Sequence, residues 1–218
     1  MNTNLQHRSG ELATQSIGQL DYLLLDGSSS MTSMWENVLA SLDTYVETLR
    51  SERINTLVRF ATFAGRSPND LIVECSPDEW LGLRGFPLPN GLTPLYDAIA
   101  FVGRELRDLN PTRCSLVIAT DGDEAGSTHT DLTQAKAILK WMEAKGWNVT
   151  FIGCDFDNSK LAASLGVRAS QAIGVSRARL SDATKTLAKK RVNNARTGAP
   201  MHWTDDEKEQ FGGYLGHG

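Results

Sequence analysis

The chain is poor in the features that mark several large classes of protein. It has three cysteines and four histidines in 218 residues, aromatic side chains make up 7%, and neither charge sign dominates. A small, odd number of cysteines offers no disulfide framework. Cys114 and Cys154 lie inside apolar strand-like runs and Cys75 ends another. All three therefore read as buried, reduced thiols, as in a cytoplasmic protein. The net charge of −4 argues against the basic footprint of a nucleic-acid binder. No run of about 18 apolar residues occurs, so no membrane-crossing helix is expected. The opening residues, MNTNLQHRSGELATQSIG, lack the apolar middle region of a secretion signal. There is no Gly-x-x-x-x-Gly-Lys loop for nucleotide phosphates and no Gly-x-Ser-x-Gly elbow. A metal hydrolase would need histidines or carboxylates placed to activate water. Here His7, His202 and His217 lie toward the ends of the chain, and only His129 falls near a loop of interest.

What is present is a regular alternation of strand-like and helix-like segments. The length suits one domain of about 150–200 residues with tails, and no internal repeat is visible. Tyr22–Leu25 is a short apolar run behind which Asp26, Ser28 and Ser30 occupy alternate positions. An apolar run closed by such a turn reads as a buried strand. Trp35, Val38, Leu39, Leu42, Tyr45, Val46 and Leu49 then recur at helical spacing. They make one apolar stripe on a helix whose N-terminus should lie beside Ser28–Ser30 and favour an anionic ligand there. Asn55–Phe63 and Leu71–Cys75 read as strands with a turn at 65–70, the second strand antiparallel at an edge. Ser76–Asn90, with three prolines, is a long loop in which Trp80, Leu83 and Phe86 are expected to act as buried anchors.

Pro94 suits the first position of a helix, marked by Leu95, Ala98, Ile99, Val102, Leu106 and Leu109. Arg113–Asp121 is the most strand-like run and ends in Thr120-Asp121-Gly122. A helix over Leu132–Met142, a strand over Val149–Cys154, a short helix over Asn158–Leu165 and a weak strand near Ala169–Ile173 follow. The order β-α-β-β-α-β-α-β-α predicts an α/β fold: a doubly wound, mostly parallel central sheet with one antiparallel edge strand and helices on both faces. Ser176–Arg196 carries seven basic residues against Asp182 alone, and reads as a final helix with a solvated basic face. The glycine-rich tail carrying Met201, Trp203, Phe211 and Tyr214 must wrap onto this domain or onto another subunit.

Three of these segments end in oxygen-bearing side chains. Asp26, Ser28 and Ser30 close the first strand, Thr93 precedes a helix, and Asp121 closes the strand at 113–121. In an open parallel sheet, ligands bind at the carboxyl ends of strands, and Mg2+ prefers oxygen ligands. Asp-x-Ser-x-Ser, Thr93 and Asp121 match, residue by residue, the metal-ion-dependent adhesion site of von Willebrand factor A (VWA) domains. DGSSSM resembles the usual DxSGSM, with Ser29 in place of the common glycine, which puts the turn's backbone in question because glycine alone tolerates φ > 0 freely. GLTPLYDAI, TDGDEAGS and GWNVTFIGCDFDNSKLAASLGV resemble the corresponding stretches of small, stand-alone bacterial and phage VWA proteins. The resemblance covers roughly 18–175. Residues 1–17, polar and weakly patterned, read as an arm or a strap across the sheet edge, 18–196 as the VWA domain and 197–218 as a C-terminal extension.

The resemblance further implies a Mg2+ site, with Mn2+ or Ca2+ as substitutes, formed by Asp26, Ser28, Ser30, Thr93 and Asp121. The partner it implies is a protein that presents an Asp or Glu to the ion, and the role that of an intracellular, non-enzymatic adaptor. Without the ion, two carboxylates about 5–6 Å apart at an effective dielectric near 20 repel by on the order of 3 kcal/mol. Asp123 and Glu124 read as solvated loop charges or as contacts to metal-bound water. Two other readings stay open. One is a structural subunit of a larger assembly, such as a phage particle, with the metal as a stability staple and the extension as the oligomer contact. The other, a Mg2+-dependent phosphohydrolase, follows from a likeness of Asp26-Gly27-Ser28 to the first motif of haloacid-dehalogenase-type phosphatases. There the nucleophile position falls on Leu24, so the phospho-aspartyl step has no carboxylate.

Overall fold

The computed structural model describes residues 17–65 and 71–212. Residues 1–16 of the expected arm, residues 66–70 of the expected turn and Tyr214 lie outside the described residues.

Six strands form one sheet in the order β3-β2-β1-β4-β5-β6. They are β1 (Gln19–Asp26), β2 (Leu57–Phe63), β3 (Leu71–Cys75), β4 (Arg113–Thr120), β5 (Asn148–Cys154) and β6 (Ala172–Val175). Only β2 and β3 pair antiparallel, and β3 is an edge. This is the doubly wound sheet that the alternation of elements predicts. The apolar runs of β1 and β4 are buried along nearly their whole length, as expected of strands covered on both faces.

The period-2 alternation of β1 divides the core. Leu23 and Leu25 face α1 (Trp35–Ser51) and α5 (Leu180–Thr197), whereas Leu20, Tyr22 and Leu24 face α2 (Leu95–Leu109) and α3 (Leu132–Ala144). Two short helices, α4 (Ser159–Ser164) and α6 (Asp205–Gly212), complete the layers. The chain leaves β1 for β2 on one side and returns to β4 on the other, so the winding reverses between β1 and β4. Their C-terminal ends, at Asp26 and Thr120, flank that crevice.

Several expectations need correction. The helix after β1 does not begin at the serines: a 3-10 helix over Ser29–Met34 intervenes and the α-helix starts at Trp35. Pro94 caps α2 rather than opening it. The last strand lies at Ala172–Val175, later than its apolar pattern suggests, because Ala169–Gln171 is taken up in a 3-10 turn. The α6 helix, with Phe211 as its buried residue, has too weak an apolar pattern to be read from the sequence. It packs beside the β6 edge, where the Ser176 N–H donates to the Phe211 carbonyl at 3.0 Å. Met201, Trp203 and Phe211 are buried in the same core as α1 and α5, so the tail through residue 212 wraps onto its own domain.

The loop anchors are as expected. Trp80 and Leu83 are buried, and Phe86 lies against Phe60 and Trp35. Asp43 of α1 accepts from the Trp80 indole N–H at 2.9 Å and the Leu83 N–H at 3.0 Å, fixing the loop to the helix.

The basic helix α5 departs most from its solvated reading. Arg191 is 1% exposed in its side chain and forms a two-bond ion pair with Asp21, Nε to Oδ1 at 2.8 Å and Nη2 to Oδ2 at 2.9 Å. Tyr45 and Thr56 each donate a hydroxyl to the same carboxylate at 2.7 Å. Lys190 pairs with Glu207 and Arg196 with Glu52, both at 2.8 Å. Much of the apparent basic face is thus neutralised within the chain.

Removing one member of a buried ion pair strands a charge and costs about 3–5 kcal/mol. Arg191→Met should therefore lower unfolding stability by about that amount in urea titrations. Asp21→Asn combined with Arg191→Met should recover much of the loss, because no uncompensated charge remains. If the single substitution costs under 1 kcal/mol, this pair does not anchor α5.

Candidate functional site

The two strand ends bring four of the five expected residues into one hydrogen-bonded group. Asp26 is the last residue of β1, and its carboxylate is fully buried. Its Oδ1 accepts from the Ser28 N–H at 2.8 Å, and its Oδ2 accepts from the Thr120 hydroxyl at 2.6 Å. The Ser28 and Ser30 hydroxyls are 3.0 Å apart, and Ser30 Oγ donates to Asp121 Oδ1 at 2.7 Å. The run Asp26–Ser28–Ser30–Asp121 thus spans the crevice between β1 and β4.

Thr93 reaches the same place through its backbone. Asn90 N–H donates to the Gly27 carbonyl at 2.8 Å, and Thr93 forms an isolated antiparallel bridge with Ala125 of the loop that follows Asp121. Among the described residues no hydrogen bond joins the buried Thr93 hydroxyl to the other four. Gly91 is required for this approach. Its φ is +107°, and a Cβ there would come within 2.8 Å of the Gly65 nitrogen.

Ser29 resolves the question raised by the missing glycine. It is not among the residues with positive φ, so the turn needs no glycine at this position. Its N–H donates to the Gly91 carbonyl at 3.0 Å, and its Oγ accepts from the Gly91 N–H at 2.9 Å. Ser29 is therefore a two-bond clamp between the first turn and the loop carrying Thr93. Apart from the departure of Ser29 from the DxSGSM pattern, nothing in the residue order points to this role.

Thr120 was also missed as a partner of Asp26. The signal was available: β1 and β4 run parallel with Leu25 opposite Ala119, which puts the next residue, Thr120, beside Asp26. Glu124 is half-buried rather than a solvated loop charge. It accepts from the Tyr96 N–H at 2.9 Å in the first turn of α2, and from the Ser127 N–H at 2.7 Å. A carboxylate at a helix N-terminus is stabilised by the unpaired N–H groups there. Asp123 is exposed. On the opposite side of the crevice, Arg177 contacts Asp155 at 3.2 Å and the Ser33 hydroxyl at 2.9 Å.

Burial pushes the Asp26 carboxyl up to about 6, opposed by its bonds from Thr120 and Ser28 and reinforced by the charge of Asp121. Burial also raises Asp121, against its bond from Ser30. At neutral pH an ionised Asp26 is thus held at a cost of a few kcal/mol, and a nearby cation would offset that cost. The donor set fits a hard divalent ion: two carboxylates, three hydroxyls and no sulfur or imidazole. No group of three or more His, Cys, Asp or Glu side chains comes together as a metal site among the described residues. A site built largely from hydroxyls has no such group.

No protein-family model and no curated protein matches the sequence. Solved structures match its fold. The vWF domain of the type V pili tip protein Mfa5 from Porphyromonas gingivalis has a TM-score of 0.64 at 10% identity, covering 88% of this chain and 99% of that one. The pilus adhesin SpaC from Lactobacillus rhamnosus GG, in its open conformation, gives 0.65 at 12% identity over 83% of this chain and 31% of SpaC. A von Willebrand factor type A protein from Catenulispora acidiphila gives 0.59 at 15% identity over 81% of this chain and 43% of that one. The chain therefore spans about a third of SpaC and somewhat under half of the Catenulispora protein.

The Ser29 clamp is directly testable. Ser29→Ala removes the acceptor of the Gly91 N–H and should cost about 1 kcal/mol. Amide exchange at Gly91 should accelerate while the centre of β4 is unchanged. Unaltered Gly91 protection would mean that the serine does not hold the loop.

Proposed function

We propose that this chain, which has the von Willebrand factor A fold, is a metal-dependent protein-binding module. Asp26, Ser28, Ser30, Thr93 and Asp121 would hold a Mg2+, which Mn2+ or Ca2+ could replace, and a partner's Asp or Glu would complete the ion's coordination. The observation that carries the reading is the continuous contact Asp26–Ser28–Ser30–Asp121 across the β1/β4 crevice. When bound, the ion supplies a positive centre that an external carboxylate can approach. Three neutral hydroxyls and two carboxylates would leave it little more than neutralised, and therefore still attractive to an anion.

The chain's own residues prepare that centre. Thr120 and the Ser28 N–H orient the Asp26 carboxylate, Ser30 orients Asp121, and Ser29 holds the Thr93 loop against the turn. The same arrangement favours binding over hydrolysis. Leu24, the nucleophile position of the phosphatase-like reading, is buried in β1 against the α2 side. His129, the histidine nearest the site loops, lies beside Asp97 at 3.6 Å.

The proposal includes an intracellular adaptor role. Cys75, Cys114 and Cys154 are free thiols, the last two buried, which suits a reducing compartment. No described helix is long and apolar enough to cross a membrane. The pilus proteins among the structural neighbours make surface attachment the contrasting reading. The assembly-subunit reading loses much of its proposed contact, since Met201, Trp203 and Phe211 are spent on the chain's own core.

Ligand present at about 100 times its Kd stabilises by roughly 2.7 kcal/mol, and 1 kcal/mol shifts Tm by roughly 2–4 °C at this size. Millimolar Mg2+ should raise Tm by several degrees relative to EDTA. Asp26→Asn and Asp121→Asn should each abolish the rise, while Asp26→Asn alone should not lower Tm in EDTA, because it removes a buried charge. Absence of a Mg2+ or Mn2+ effect on the unmodified protein would refute the metal site. Mg2+-dependent phosphatase activity lost in Asp26→Asn would replace the binding reading with an enzymatic one.

A further inference from the structure

We propose that Leu88 and Leu92 form an apolar rim to the metal site, and that this rim selects a protein segment carrying an apolar residue next to its acidic one. The inference rests on the metal-dependent binding reading above and names its class of partner.

Leu88 is 72% exposed and Leu92 is 51% exposed. Single exposed leucines are ordinary on protein surfaces; these two stand out by position and restraint. They flank Asn90 and Gly91, the residues through which the loop contacts Gly27 and Ser29 of the metal-site turn. Leu92 immediately precedes Thr93, and its carbonyl accepts from the Gly65 N–H at 3.0 Å. Its side chain lies against Gly126, where a Cβ would come within 3.0 Å of the Leu92 Cβ. Upstream, Trp80 and Leu83 are buried and tied to Asp43. The loop is thus pinned on both sides of Leu88 and Leu92, and the two leucines are held out by a built segment.

That restraint bears on binding. A partner that covers side chains on a preordered loop spends little on ordering them. The other side of the crevice is polar, with Arg177 joined to Asp155 and Ser33, so an apolar neighbour in the partner is favoured on one side only. A small carboxylate would reach the ion but leave the rim exposed. An extended peptide places side chains to either side of its acidic residue and can cover both. Anionic lipid is disfavoured by the local surplus of acid from Asp26, Asp121 and Asp123.

The test is selection from a library of random displayed hexapeptides by the full chain, in Mg2+ and in EDTA. The selected peptides should carry Asp or Glu only in Mg2+, with Leu, Ile, Val, Phe or Met enriched within two positions of the acid. Their Kd should weaken about three- to tenfold for Leu88→Ser or Leu92→Ser. In the double variant the apolar enrichment should vanish while the acid and the Mg2+ shift in Tm persist, which shows that the protein is folded and loaded. Acidic peptides with no apolar preference, or a preference that survives in the double variant, would overturn the rim and leave the metal reading standing. No acid enrichment despite a Mg2+ shift in Tm would overturn both the carboxylate partner and the rim. Mg2+-dependent dimerisation in sedimentation velocity, lost in the double variant, would assign the rim to a second copy of the chain and overturn the peptide reading.

Discussion

The central strand carries two buried carboxylates, and the difference in how they are satisfied organises the molecule. Asp21, at the start of β1, meets a guanidinium and two hydroxyls from three other parts of the chain. It is a closed account of charge, and its effect is to fix α5 and α1 to the sheet. Asp26, at the end of the same strand, meets one hydroxyl and one N–H but no cation. Both are fully buried. Burial of an ionised group without a counter-charge is among the costliest local arrangements a fold can hold. A chain that neutralises one end of β1 so completely, and leaves the other bonded only to neutral donors, has divided the strand into a structural end and a receptive one.

The receptive end is rigid because the loops around it are bonded to one another. The β1 turn holds the Thr93 loop through Gly27 and Ser29, and the Thr93 loop bridges to Ala125 behind Asp121. Glu124 ties that last loop to the first turn of α2. Each contact is a hydrogen bond worth about 1 kcal/mol on its own. Together they join three segments distant in sequence around one crevice, so that a ligand would find the site assembled.

How far this was legible in the sequence depends on the physical origin of each feature. The strands and long helices were readable because burial on one or two faces imposes periodicity, as in Trp35–Leu49 and Arg113–Thr120. The grouping of Asp26, Ser28, Ser30 and Asp121 followed from strand ends at a reversal of winding, which topology fixes. Arg191 was misread because charge composition alone does not reveal which face of a helix turns inward. It sits among Leu187, Ala188 and Val192, all buried, and the partner that makes its burial tolerable lies 170 residues away. The α6 helix escaped for a related reason: Phe211 is its only buried residue, too little to set a period. Glu124 and Ser29 act on backbone N–H groups, and side chains of many kinds can do that, so residue type carried little information.

The structural neighbours share this fold at 10–15% identity, a level at which the layers and the sheet persist while surfaces diverge. Function must then be argued from the site, since one scaffold can carry many activities. The proposed choice of binding over catalysis rests on chemistry. Hydrolysis needs a base or nucleophile beside the electrophile. The crevice instead offers hydroxyls bonded to one another and to carboxylates, while Arg177 pairs with Asp155 and Glu124 accepts at the start of α2. What remains unsatisfied is the negative charge of Asp26 and Asp121, and a divalent cation is the simplest group that answers it. Under the proposed reading, an ion held mainly by neutral oxygens would have charge left to offer, and an external carboxylate would complete its coordination.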